Sequence, residues 1–542
     1  MINDKMACDN SHSILLIKQS LISNGINFRF SPIHVKRIVN CPEIRLFSIH
    51  KDVSLRRLQL VLTLIMLALS SNVLADATGW SEYRSKHFIY YSDHDEKEVN
   101  ESLRELEVFR AVMFDVLQLD SSRAVPPVKV YAFKSQRDFD ATKRGGNIAG
   151  YFRDDFRGPY MAIGNGSSGM QTVFHEYIHY LVKATGSVNY PTWFNEGIAE
   201  FYATMQIKPD HVVIGNTLKR RASKNAGSKL IKLDQLMSET NRSKNRTPAY
   251  TDKFYANSWL LVHFFLLGDI NGTTNYTAEL KQFLALQNQG VALKKAFANS
   301  FSISFKEFKS QVEKYNRIRV LNARKLSRPE TTLHFIKTSL EEGEMYAIFS
   351  HLAFSAGNRK ESDRFRKKAL KLHSSLALAV EALIVGRAGK LEYAEKLAQQ
   401  AMQKKPVAAE TLVTVGQVYK ELAYKSPARK EELLRLAIYY LERSSENTFI
   451  PAAHHYLASI YWQMNKKQQA IDEITTLVRK MPSSSYANML AADYFARVNK
   501  LDTAEYFISN VLNWSHSTFQ LEKASKLLIK ITAMRLKKQQ KP

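Results

Sequence analysis

The chain has 542 residues, enough for two or more domains, and its 45% hydrophobic and 24% charged residues are typical of a folded globular protein. The formal net charge of +26 favours acidic partners, anionic membrane surfaces or cell-wall polymers. The basic residues are spread along the chain without a nucleic-acid-binding motif, which argues against a nucleic-acid partner.

The first recognisable element is a short apolar segment at residues 55–75. Two arginines precede an almost unbroken apolar run from Leu58 to Leu69, and small residues end it at Ala75. Basic residues, an apolar run and small residues follow one another in this order in a signal peptide. The apolar run is too short to span a membrane readily. We therefore expect an exported protein, located in a bacterial periplasm.

The position of this segment is unusual because signal peptides begin a chain. It favours a translation start near Val53 or Leu55, so that residues 1–54 are a non-native N-terminal extension. The alternative is a genuine extension with an uncleaved anchor. Cys8 and Cys41 both precede the predicted cleavage, so the mature chain carries no cysteine and needs no disulfide.

An α+β unit is predicted next. Its elements, in chain order, are a strand at 86–91, an amphipathic helix at 95–118, a strand at 128–133 and two further strands at 149–153 and 160–163. The last strand leads into a glycine-rich loop, and an apolar helix follows. The expected domain covers residues 76–325.

That helix carries His175, Glu176 and His179. Residues four apart lie on one face of a helix, so the two imidazoles can bind one metal ion. Glu176 lies about 100° around the helix from His175, where a general base for a metal-bound water must stand.

A second acidic segment follows, on a predicted helix. Glu196 is the candidate third metal ligand, because a catalytic zinc ion usually takes three protein ligands and one water. Glu200 lies one turn further on and is placed to accept the other ring N–H of a ligating histidine, with His175 as the favoured partner. A helix with two surface histidines is the alternative, although it leaves Glu196 and Glu200 unexplained.

These five residues resemble the motif of the gluzincin metallopeptidases, the peptidase MA-like group. The resemblance implies a zincin-like fold, a Zn²⁺ ion held by His175, His179 and Glu196, and Glu176 as catalytic base. It also implies an edge strand that holds the substrate and a tyrosine that stabilises the oxyanion. Tyr255 resembles that tyrosine, and a tyrosine that only packs is the alternative.

The C-terminal part changes to helical hairpins at residues 343–535, after a boundary at 320–340. Segments beginning at Gly389, Asn465 and Asn499 share one pattern, and Ala470 and Ala504 are 34 residues apart. This pattern resembles tetratricopeptide repeats, which stack into a solenoid that binds peptides or proteins. An irregular helical domain is the alternative.

Together these features predict an exported zinc metallopeptidase that cleaves peptides or proteins. An endopeptidase is favoured, because no Gly-x-Met-x-Asn segment precedes the helix to capture a free amino terminus. The other hypothesis is a non-catalytic scaffold or assembly factor, whose repeats bind a protein partner and whose metal site is structural or vestigial.

Overall fold

The computed structural model describes residues 79–121, 126–143, 145, 148–165, 168–185, 190–216, 229–239, 247–404, 407–446, 448–515 and 518–539. The predicted extension at 1–54 and the predicted signal peptide at 55–75 lie outside the described residues.

The strands are β1 (Ser81–Arg84), β2 (Phe88–Ser92), β3 (Val128–Ala132), β4 (Gly150–Asp155), β5 (Gly158–Ile163), β6 (Gln206–Ile207), β7 (His211–Ile214), β8 (Arg324–Ser327) and β9 (Ile336–Ser339). The helices of the N-terminal part are α1 (Glu96–Val116), α2 (Gln136–Thr142), α3 (Ser168–Thr185), α4 (Thr192–Ala203), α5 (Leu233–Ser238), α6 (Pro248–Leu267), α7 (Thr277–Asn288), α8 (Leu293–Ser300) and α9 (Phe305–Tyr315). The helices of the C-terminal part are α10 (Glu342–Ser355), α11 (Arg359–Lys371), α12 (Ser375–Arg387), α13 (Leu391–Ala401), α14 (Ala409–Lys425), α15 (Lys430–Ser444), α16 (Pro451–Gln463), α17 (Lys467–Lys480), α18 (Ser485–Arg497), α19 (Leu501–Trp514) and α20 (Thr518–Gln539).

Six of the described strands form one mixed sheet in the order β4-β5-β3-β2-β1-β9. At its centre β2, β3 and β5 run parallel, whereas β4 and β1 are antiparallel to their neighbours. Side chains alternate between the two faces: Phe88 and Tyr90 join the core under α1 and α3, and Ile89 and Tyr91 join the opposite core. Both faces are buried, which explains why the central strands are apolar almost throughout.

The second face of the sheet is covered by the first C-terminal hairpin, α10 and α11. The ring centroid of Phe349 on α10 lies 5.1 Å from that of Trp80 and 5.2 Å from that of Phe133. Phe365 on α11 lies 5.4 Å from Phe349. The hairpin is therefore part of the core of the sheet.

Residues 320–340, where the sequence indicated a boundary, contain two strands. β8 pairs with β7 in a small sheet, and β9 pairs with β1 at the edge of the large one. Both strands are short, polar and largely exposed, so they lack the apolar alternation by which a strand is predicted. The segment is thus hydrogen-bonded into both sheets.

The C-terminal part consists of helical hairpins. Across the described residues, the first helix of each unit begins at Glu342, Ser375, Ala409, Pro451, Ser485 and Thr518, at intervals of 33, 34, 42, 34 and 33 residues. The longer third interval contains the 17-residue α14 and an added 3₁₀ turn. These intervals agree with the 34-residue period of tetratricopeptide repeats.

Four of the five described hairpin turns repeat the same backbone geometry. Gly357, Gly389, Asn465 and Asn499 each follow the end of a first helix by two residues and have a positive φ of 59–90°. The next amide in each turn donates to a carbonyl five residues back, as in a Schellman motif. Glycine and asparagine are the residues that tolerate this left-handed conformation, so the turns explain the pattern seen in the sequence.

The predicted order is confirmed in this form: helices around a mixed sheet, then repeated helical hairpins. No single helix in the described ranges is long and apolar enough to cross a membrane. Two consecutive helices, α11 and α12, reach that length and composition only together, and they are bent by 118° between them.

Candidate metal centre

Helix α3 is held against the sheet by its apolar face. The ring of Phe174 stacks on that of Phe109 from α1 at 3.9 Å, and Tyr177 lies 5.2 Å from Phe88 of β2. His175, one residue after Phe174, is turned away from this packing and is partly exposed, whereas His179 is buried. The packing of α3 therefore fixes the direction in which both imidazoles point.

Helix α4 is positioned by its close contact with α6. A Cβ atom on Gly197 would lie 2.5 Å from Val262 Cγ2 and 2.6 Å from the carbonyl oxygen of Ser258. Only glycine permits this approach, because the carbonyl oxygen of Ser258 belongs to the backbone and cannot rotate away. Glu196, the preceding residue, is fully buried and faces α3.

Three side-chain atoms converge between α3 and α4. His175 Nε2 and His179 Nε2 are 3.2 Å apart, and Glu196 Oε2 lies 3.5 Å from each of them. Within the described part of the chain, these three residues form the single cluster of metal-binding side chains whose ligand atoms lie within 4.8 Å of one another.

The triangle has the size that zinc requires. Ligands at about 2.0–2.1 Å from a tetrahedral zinc ion lie about 3.3 Å from one another, which is close to the observed distances. Two imidazoles and one carboxylate leave a fourth tetrahedral position open, which is the arrangement of catalytic rather than structural zinc sites in known proteins. The residues present therefore fit Zn²⁺.

Glu200 lies on the outer side of His175. Its Oε1 is 3.5 Å from His175 Nδ1, whereas the Nε2 of the same ring faces Glu196. This distance is slightly longer than an ordinary N–H···O hydrogen bond. The two nitrogens of His175 thus have different partners, and Glu200 is placed to orient the ring.

The cluster carries an excess of negative charge. Burial alone would lower the pKa of His175, but the neighbouring carboxylates, with Glu196 foremost, raise it to about 9. Burial raises the pKa of Glu196, yet the facing imidazoles of His179 and His175 outweigh burial and hold it well below its usual range. The centre of the triangle therefore favours a cation.

A cavity of about 680 Å³ opens onto the triangle. Glu176 and Tyr255 both line it, and the ring centroid of Tyr255 lies 6.3 Å from that of His175. This volume is within the range of known ligand-binding sites, about 300–1,000 Å³. The structure therefore brings all six residues singled out in the sequence to one place.

The cavity also has residues that the sequence analysis did not identify. Its lining includes Phe152 and Arg153 of β4, and a second group from the C-terminal helices: Phe354, Ser355, Ser483, Ser485, Ser515 and Gln520. No motif distinguishes these serines, and they lie more than 150 residues from α3 in the sequence. Only the tertiary structure reveals this contribution.

Comparison with known proteins identifies similar solved structures but no family. No protein-family model matches the chain, and no curated protein matches it. The chain is similar to a thermophilic tetratricopeptide repeat protein of Thermus thermophilus, with 14% identity, a TM-score of 0.31 and coverage of 34% of this chain and 99% of that one. It is also similar to the APC/C hetero-tetramer Cut9–Hcn1, with 13% identity, a TM-score of 0.28 and coverage of 53% of this chain and 50% of that one.

Proposed function

We propose that this protein is a zinc-dependent metallopeptidase of the gluzincin type. The observation that carries the proposal is the triangle of His175 Nε2, His179 Nε2 and Glu196 Oε2, with sides of 3.2, 3.5 and 3.5 Å, in the lining of a cavity. Surface histidines that merely shared a helix face would not converge with a buried carboxylate from another helix.

The residues around the triangle have the roles that peptide hydrolysis needs. When bound, zinc supplies a Lewis acid that polarises a carbonyl and lowers the pKa of water. Glu176 takes a proton from the attacking water and passes it to the leaving amine. The hydroxyl of Tyr255 donates a hydrogen bond to the oxygen on which negative charge develops.

The substrate is a peptide or protein, held beside β4. Among the described strands, β4 pairs only with β5, so its other edge can bind an extended backbone by strand addition. Cleavage within a chain is proposed, because no Gly-x-Met-x-Asn segment precedes α3 to capture a free amino terminus. We further propose export to the periplasm, where the positive charge favours peripheral contact with an anionic membrane or cell wall; nucleic acid is not a proposed partner.

A non-catalytic scaffold is the second candidate. Tyr393, Tyr439 and Tyr506 lie on the second helices of three hairpins and are 52%, 52% and 60% exposed. Exposed tyrosines are common anchors in protein interfaces, so this surface could bind a protein partner without any chemistry at the metal centre.

Metal content and turnover separate the two candidates. The experiment compares the full wild-type chain with Glu176→Gln and with the control Glu313→Gln, which changes an exposed residue on α9. Each protein would be analysed for zinc and assayed on a library of quenched peptides with and without a chelator. Hydrolysis should be chelator-sensitive, and Glu176→Gln should keep its zinc while losing at least about 10²-fold in rate. Undiminished hydrolysis by Glu176→Gln contradicts the mechanism, and zinc without any turnover favours the scaffold.

A further inference from the structure

The repeats approach the metal centre in order along the sheet. Glu410, in the first turn of α14, pairs with Lys129 of β3. Pro451, the first residue of α16, lies 3.6 Å from the position of a Cβ atom on Gly158 of β5. Ser485, the first residue of α18, lines the metal cavity beside β4. Successive repeats therefore begin against β3, then β5, then the cleft.

The cavity consequently has two walls. The first wall is β4 and α3, which contribute Phe152, Arg153, Tyr180 and the metal-binding histidines. The second wall comes from the repeats. Its members are Phe354, Ser355, Ser483, Ser485, Ser515 and Gln520.

The second wall is neutral, although the chain as a whole is strongly basic. None of its six lining residues is charged, and five of them carry a hydroxyl or an amide. Such groups both donate and accept hydrogen bonds, as the N–H and C=O groups of a peptide backbone do. This chemistry suits a polypeptide of varied sequence better than a highly charged polymer.

Hydrogen bonds within the α18–α19 hairpin hold the part of this wall around Ser485 in place. The Ser484 side chain accepts from the amide of Ala487 and caps α18, and Asn488 Nδ2 donates to the carbonyl of Pro482 over 2.8 Å. Asn510 Nδ2 on α19 donates to Asn488 Oδ1 over 2.9 Å. The position of residues 483–485 is therefore set by the packing of the last hairpin.

We propose that the C-terminal end of α10, the start of α18 with Ser483, and Ser515 with Gln520 of α20 form the second wall of the substrate cleft, and that the cleft takes an unfolded, extended stretch of polypeptide. The proposal rests on the proposed peptidase function and names its substrate class. A folded protein cannot add a strand to β4 inside a two-walled cleft, whereas an unfolded segment can lie between β4 and Ser485.

Photo-crosslinking tests the position of the substrate. In full-length protein carrying Glu176→Gln, a photo-reactive phenylalanine analogue would replace Ser485 or, as control, the exposed Tyr439 on α15. The probes are reduced and carboxymethylated α-lactalbumin and the native folded protein. Because a bound segment has a high effective concentration at the wall, position 485 should crosslink the unfolded probe about tenfold more than position 439 does. Equal yields, or equal crosslinking of the folded probe, would overturn the proposal.

A binding measurement provides an independent check. In the same Glu176→Gln background, Ser485→Trp narrows the cleft, and Ser525→Trp places the same side chain on an exposed part of α20 outside the cavity. The dissociation constant of the labelled unfolded probe, followed by fluorescence anisotropy, should rise about tenfold for Ser485→Trp and stay unchanged for Ser525→Trp. Identical constants for the two variants would contradict the two-walled cleft.

These measurements do not require catalysis, so the two proposals fail separately. If the wild-type protein shows no chelator-sensitive hydrolysis but position 485 still crosslinks the unfolded probe, the cleft binds a polypeptide without cleaving it. If hydrolysis is present and positions 485 and 439 crosslink equally, the protein is a peptidase, but the repeats do not form the second wall of its cleft.

Discussion

Lys129 Nζ donates a hydrogen bond to Glu410 Oε1 over 2.6 Å, although 281 positions separate the two residues in the sequence. Lys129 lies on the central strand β3, and Glu410 lies in the first turn of α14. The ion pair therefore links the large sheet, which supports α3, to the middle of the repeat array.

This ion pair should make stability depend on pH. The neighbouring Lys129 lowers the pKa of Glu410 from 4.5 to about 2, against the opposing effect of burial. Because the folded-state pKa is depressed, the stabilisation is complete above about pH 4.5 and is lost as the pH falls towards about 2. Glu410→Gln should cost about 1–2 kcal/mol at pH 7, allowing for partial exposure of the pair, and about half of that or less at pH 3. Urea unfolding at both pH values measures this, with Glu313→Gln as control; an equal cost at both would contradict the prediction.

Glu200 should affect zinc affinity without being a ligand. Glu200→Ala should weaken zinc binding about 10–100-fold, because His175 loses the group that orients its ring. Added zinc should restore most of the activity. His175→Ala should instead abolish zinc retention, because a ligand is lost. Competition against a chromophoric chelator measures both affinities, and equal losses in the two variants would show that the roles are assigned wrongly.

Tyr255→Phe removes one hydroxyl and leaves the ring in place. If that hydroxyl stabilises the oxyanion, kcat should fall about 10²–10³-fold while zinc content and KM stay near those of the wild type. Tyr276→Phe is the control, because the Tyr276 hydroxyl donates to Gln311 Oε1 outside the cavity. Unchanged kcat in Tyr255→Phe would leave this tyrosine with a packing role only.

Phe349 should stabilise both parts of the molecule. It is 2% exposed and contacts Trp80 and Phe133 of the sheet region as well as Phe365 of the repeats. Phe349→Ala should cost about 3–5 kcal/mol, since a large buried ring is lost. Far-ultraviolet circular dichroism and tryptophan fluorescence should report one coincident transition. Two separate unfolding transitions in the wild type would contradict this prediction. So would a loss of stability in Phe349→Ala no larger than that in Tyr393→Ala, which changes an exposed residue.

The proximity of the two histidines could be predicted from the sequence because their relationship is local. His175 and His179 are one helical turn apart, so periodicity alone places them on one face of α3. Glu196 lies on a separate helix, and its assignment rests on the three-ligand pattern of catalytic zinc and on the resemblance to gluzincins. The repeat period could also be recognised, because glycine or asparagine occupies the left-handed position in four of the described hairpin turns.

The two-sided burial of the sheet could not be predicted in the same way. Lys129 interrupts the apolar residues of β3, which is the pattern of a strand with one solvated face. In the structure that face is covered by α10 and α11, and Lys129 is paired with Glu410. Likewise Ser485 belongs to the cleft only because intervening repeats carry the chain back to it, and a small polar residue at a helix start gives no signal of such a contact.

The attachment of the repeat array along its length restricts how the chain can change in evolution. Most solenoids can gain or lose a whole unit, because each unit contacts only its neighbours. Here α10 is anchored on the sheet through Phe349, and α18 lines the metal cavity through Ser485. Duplication or deletion of one unit between them would displace Ser485 by a whole repeat from the histidines of α3. Under the proposed function, the number of repeats is therefore constrained by the cavity that His175, His179 and Glu196 adjoin.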